Sequence, residues 1–167
     1  TGSAAHVVEA GFAARDGIMA AQLAARGLAG NPSILDGRAG YFDALAGQPD
    51  IDLQLGSGSD FRVMAVGQKK YPCCYMLQRI IDTTKQLVAD ENILADDVAR
   101  VTVEVNAAFP AIMKYPVPHD VEEARFSLPH VVAATLVGEP MDVRTFSAAK
   151  LADGHILEQR GKVDMVV

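Results

Sequence analysis

The chain has 167 residues, of which 50% are hydrophobic and only 6% aromatic, with no tryptophan and a net charge of −6. Its longest basic run is the Lys69-Lys70 pair, which excludes a nucleic-acid binder built on clustered cations. The absence of an apolar run of about 18 residues, of a basic N-terminal leader, and of any cysteine framework beyond two vicinal thiols predicts a cytoplasmic chain that neither spans nor binds a membrane.

Residues 4–27 read as one alanine-rich helix closed by Gly27. Within it His6, Glu9, Ala13 and Asp16 recur at spacings of three and four and share one side. A solvated face is the simpler reading of that polar stripe, and a site wall is the other. The small side chains need neighbours to bury against, so contacts through this helix are expected, giving a homodimer or a larger self-association. The opening Thr1-Gly2-Ser3 and a strand-like end at Val166-Val167 give the expectation of a piece excised from a longer protein.

Asn31-Pro32 predicts a cap and a short helix ending at Gly37, with a further helical piece over 38–46. The Gly/Ser-rich segment 48–60 marks a domain boundary. Gly56-Ser57-Gly58 within it lacks the further glycine of a dinucleotide-binding loop. Residues 61–66 are expected to form a strand.

Leu77, Ile80, Ile81, Thr84, Leu87 and Val88 then follow the helical period. Valines 101, 103 and 105 alternate with polar residues, the mark of a strand with one buried face. Asp120 with Glu123 forms a capping box, and Ser127 opens a helix over 128–137 that Gly138-Glu139-Pro140 ends. Asp142 is expected to cap the next helical stretch, which stops near Asp153-Gly154, and a last strand follows Gly161. This order is an α+β arrangement rather than an alternating doubly wound sheet.

The segment richest in chemistry is Lys69-Lys70-Tyr71-Pro72-Cys73-Cys74, where two cations, a helix-starting proline and two thiols meet the beginning of a helix. Unpaired amides and the helix dipole stabilise a thiolate or a substrate carboxylate there. Lys69 is the candidate carboxylate ligand, and Lys70 reads as plain surface. The two cysteines read most simply as small buried thiols. A Cys/His pair would need His119, His130 or His155 in contact, and the spacing of these residues makes no recognisable zinc site. His130, inside the apolar run 128–136, reads as a hydrogen-bonded core histidine.

Three groups of residues carry a resemblance. The first is Gly11-Phe12-Ala13-Ala14-Arg15-Asp16-Gly17 with Gly27-Leu28-Ala29-Gly30 and Gly40-Tyr41-Phe42; the second is Lys69 to Cys74; the third is Ala124-Arg125-Phe126-Ser127-Leu128-Pro129. Together they resemble the MmgE/PrpD family, which includes 2-methylcitrate dehydratases, cis-aconitate decarboxylases and an iminodisuccinate epimerase. The resemblance implies a helical remnant of a large domain over residues 1–50 and a small α+β domain over 51–167, with the active site between them.

It further implies a cofactor-independent lyase or isomerase acting on a small di- or tricarboxylic acid. His6 would be the acid or base, with Lys69, Cys74 and Glu9 at the substrate, no metal and no cofactor. The family often has Lys-x-x-His where this chain has His6 and Glu9, a histidine where it has Gln78, and in decarboxylase-like members a histidine where it has Cys74. These departures keep a second reading open, a non-catalytic assembly or small-molecule-binding module of the same fold.

Overall fold

The computed structural model describes residues 2–47, 58–59 and 61–167, apart from the side chains of His6 and Arg62. The chain divides into two units, Val8–Gly67 and Gln68–Val167, the second including the first residues of the chain. Among the described residues no helix is long and apolar enough to cross a membrane.

The first unit is dominated by α1 (Ala5–Ala25). Alanine supplies the propensity, and no proline interrupts the 21 residues. The helix stops where Gly27 takes φ 94°. There the Gly27 amide reaches the Ala24 carbonyl and the Leu28 amide reaches Leu23, at 2.9 and 3.1 Å. This paired closure satisfies carbonyls that would otherwise be left open.

The short helix expected from Asn31 to Gly37 is replaced by a series of turns. The Asn31 side chain does accept the Ser33 amide at 3.0 Å, as a cap would. The carbonyls of Ile34 and Leu35 accept the amides of Tyr41 and Phe42 at 2.7 and 3.1 Å. That return brings the chain into α2 (Tyr41–Ala46). Two glycines sit at its tight points, where an added Cβ would lie 2.5 Å from the Ser33 carbonyl oxygen at Gly37 and 2.6 Å from the Gly37 carbonyl oxygen at Gly40. The strand expected over 61–66 is a 3₁₀ turn, Arg62–Ala65. No neighbouring strand exists among the described residues to receive its backbone, so the amides of Met64 and Val66 fold back on Phe61 and Val63. Apart from Gly58 and Ser59, the Gly/Ser-rich segment and its Gly56-Ser57-Gly58 loop lie outside the described residues.

The second unit is α+β. Its α3 (Gln78–Asp90) follows a short 3₁₀ turn and packs against α6 (Leu128–Leu136), which α8 (Gly154–Arg160) and β2 (Val163–Val166) also cover. Every residue of α6 is buried. The helix starts as expected, with the Ser127 hydroxyl accepting the His130 amide and Pro129 in the first turn, and Gly138 at φ 85° ends it. β1 (Val101–Glu104) pairs in parallel with β2, Val101 opposite Val163 and Val103 opposite Met165. The valines point into the layer, and Thr102 and Glu104 face out.

Between β1 and α6 lie α4 (Phe109–Ile112) and α5 (Val121–Ala124). Asp120 caps α5 by accepting the Glu123 amide, while Glu123 reaches back to the His119 amide, one residue before the cap. One expectation is corrected after α6. Asp142 folds a turn onto the Arg144 amide, and α7 (Ala148–Leu151) is capped by Ser147. The helical stretch does stop near Asp153-Gly154, with α7 ending at Leu151, but a further helix follows before the last strand: the Asp153 carboxylate accepts the His155 and Ile156 amides and so opens α8.

Candidate functional site

The Lys69–Cys74 turn leads into α3 through the 3₁₀ turn Tyr75–Leu77, with Cys74 at its cap. Pro72 therefore lies in the preceding bend, two residues before that cap, and is not the first residue of the helix. The turn is held by one side chain from inside α3. The Gln78 Oε1 accepts the Tyr71 amide at 2.8 Å, and its Nε2 donates to the Tyr71 carbonyl at 3.0 Å. The same Nε2 lies 3.4 Å from the Cys74 carbonyl and 3.5 Å from the Cys73 sulfur. A buried primary amide thus substitutes for a strand neighbour and fixes the backbone on both sides of Pro72.

Two of the resembling motifs meet here. The Cys74 amide donates to the Arg125 carbonyl at 3.0 Å, joining the Lys-Tyr-Pro-Cys turn to the Ala124–Pro129 segment that opens α6. Arg125 itself pairs with Glu122 at 2.9 Å. The glycine-rich motif of α1 belongs to the other unit.

Lys70 and Lys69 differ. The Lys70 ammonium lies 2.5 Å from the Asp82 carboxylate, to which the Tyr71 hydroxyl also donates at 2.6 Å. Those hydrogen bonds hold Asp82 below the usual carboxylate range and raise Lys70. Burial is the main cause that raises Tyr71. Lys70 is therefore exposed but engaged, more than the plain surface residue expected. Lys69 is also exposed, and it makes no ion pair or hydrogen bond among the described residues.

The thiols differ as well. Cys73 is buried, and burial with the adjacent Cys74 pushes its thiol up to about 12 against the weaker pull of Lys69 and Arg125. At Cys73 desolvation outweighs the helix start, so the expected stabilised thiolate does not form there. Cys74 is half-buried.

The histidines lie elsewhere. His119 pairs with Glu123 and His155 with Asp96, both on the surface. His130 is 1% exposed within α6, and neither ring nitrogen has a hydrogen-bond partner, unlike the hydrogen-bonded core histidine expected. Burial pushes it down to about 4 with a smaller contribution from Arg160. Among the described residues no cluster of His, Cys, Asp and Glu could hold a metal ion. Glu9 is exposed on α1, as are Ala13 and Asp16, the last paired with Arg15; the His6 side chain lies outside the described residues.

Beside the turn opens a cavity of 370 Å³ that sequence reasoning did not locate, lined among others by Gln68, Lys70, Tyr75, Arg79 and Asn106 over Phe109. An arginine in the first turn of a helix was its one legible signal; nothing near Asn106 marked that residue.

The fold and the turn together define an α+β protein whose polar site surrounds a helix entry. Residues 1–54 match the MmgE/PrpD N-terminal domain and residues 71–167 the MmgE/PrpD C-terminal domain. The chain belongs to the MmgE/PrpD family, whose members are typically lyases and dehydratases. Lys69 and Lys70 fall between the two matched ranges. No curated protein matches the chain.

Proposed function

We propose that the chain is part of a cofactor-independent lyase or isomerase acting on a small di- or tricarboxylic acid, by moving a proton on the carbon next to a carboxylate. Family membership through both domains supports the enzyme class. The observation that carries the site is the fixed turn with its exposed, unengaged Lys69. Such a carbon acid is weak, so the reaction needs a base beside it and cations for the enolate-like charge that develops. Lys69 supplies the cation to a carboxylate, with Cys74 beside it on the same turn. His6 is the acid or base, because its intrinsic pKa lies near neutrality. The resemblance adds that the full enzyme is longer, with an acidic and histidine-containing motif upstream.

One observation favours a second reading, binding without turnover. Where the family commonly carries a histidine this chain has Gln78, whose amide is engaged in holding the turn.

Steady-state kinetics of the complete protein on hydroxy and unsaturated di- and tricarboxylates test the first reading. Lys69→Ala should lower kcat/KM by roughly one to two orders of magnitude, about 1.5–3 kcal/mol, with the melting temperature unchanged. Lys70→Ala should do far less, because Asp82 already pairs its charge. Equal, small effects from both would place the carboxylate elsewhere.

A further inference from the structure

Arg79 stands in the first turn of α3, a helix with no acidic residue in that turn. A cation at the positive end of a helix is unfavourable, and a structural arginine there would be expected to find a carboxylate. Arg79 is exposed and has no ion pair among the described residues; the nearest acidic residue along the helix, Asp82, is taken by Lys70 and Tyr71. Arg79 lines the 370 Å³ cavity beside the turn.

The other polar walls of that cavity can all donate, and its second cation, Lys70, is already paired with Asp82. Asn106 spends its side-chain oxygen on the Ala108 amide at 3.0 Å, which leaves its amide hydrogens as the available group. Gln68 and the Tyr75 hydroxyl make no hydrogen bond among the described residues. Gln78 also lines the cavity, but its amide is committed to the turn. Met76 and Phe109 supply an apolar wall. The cavity thus offers a planar cation, free amide donors and a small apolar surface, with no unpaired carboxylate in its lining. A planar guanidinium matches a carboxylate through two parallel hydrogen bonds.

We propose that this cavity is a binding site for a small organic carboxylate, its carboxylate held by Arg79 and Asn106 and its carbon chain against Phe109. The site is distinct from the one assigned to Lys69, and its existence does not depend on the chain being catalytic.

Titration of the chain with succinate, followed by NMR of the side-chain amides, tests it without any turnover assay. Succinate should shift the Asn106 and Gln68 amide signals saturably. Arg79→Gln should weaken binding about tenfold or more, the expected loss of a charge-assisted pair. Arg100→Gln removes the same charge from a surface pair with Asp164 that is not part of the cavity lining, and should leave binding intact. Asn106→Asp keeps an oxygen for the Ala108 amide, so the fold is retained while a negative charge faces the ligand; binding should be lost. The absence of saturable shifts, or equal weakening by Arg79→Gln and Arg100→Gln, overturns the proposal. Inorganic phosphate binding more tightly than succinate at the same residues overturns the assignment to carboxylates.

Discussion

The helices α1 and α6 are built from similar material and meet opposite fates. Both are apolar, rich in alanine and valine, and closed by a glycine with the same pair of backbone bonds. All of α6 is buried beneath α3, α8 and β2, whereas every described side chain of α1 is exposed, Phe12 at 53% and Ile18 at 62%. Hydrophobic composition makes a helix ready for burial; only neighbouring elements bury it. The same contrast holds for the loops. The return from Asn31 to Tyr41 relies chiefly on backbone bonds in the open, while the Lys69–Cys74 turn is clamped from within by a buried amide.

The sharpest test compares matched truncations. Leu128→Ala, at a side chain with no exposed surface, should cost about 2–5 kcal/mol in chemical unfolding. Leu23→Ala on α1, at 42% exposure, should stay within about 0.5 kcal/mol. Equal losses would mean that α1 is packed as firmly as α6, and the contrast would fail.

Next in size is the pH dependence set by His130. Its pKa falls from 6.5 in the unfolded chain to about 4 in the folded one, so between those values the unfolded chain binds the extra proton. The associated stability is fully present above pH 6.5 and is lost as pH falls towards 4, amounting to roughly 3 kcal/mol. His130→Leu should remove that slope, measured as the difference in unfolding free energy between variant and parent across the window. An unchanged slope would show that the imidazole reaches water or a partner in the folded chain.

The smallest effect concerns the clamp. Gln78→Ala leaves the Tyr71 amide and carbonyl without their partner, and should cost about 1–3 kcal/mol. Hydrogen exchange at the Tyr71 amide should quicken while the amides of α6 stay protected. Loss of protection in both would mean that the turn and the core unfold together.

Much of the fold could be read locally. The caps at Asp120 and Ser127, the glycine stops at Gly27 and Gly138, the alternation of Val101 and Val103 and the period of α3 are short-range signals, and each appears where the residues placed it. The readings that failed needed knowledge of distant backbone. Asn31-Pro32 has a cap, but the segment closes into turns whose Ile34 and Leu35 carbonyls accept the Tyr41 and Phe42 amides. Residues 61–66 have strand composition and no strand beside them among the described residues. The stop near Asp153-Gly154 is local and holds, but the expectation passes straight from it to the last strand and omits the further helix α8, which the Asp153 carboxylate opens.

The candidate site divides along the same line. Sequence alone determined that two lysines and two thiols would stand where a loop enters a helix, because proximity in the chain guarantees it. Tertiary structure decided which of them remain available. Asp82, twelve residues beyond Lys70, engages that lysine and leaves Lys69 open; burial keeps Cys73 protonated; and Asn106 joins Arg79 across one cavity. Desolvation and ion pairing depend on what surrounds a group in space, and that environment is set by the packing of α3, β1 and α6 rather than by neighbours in the chain.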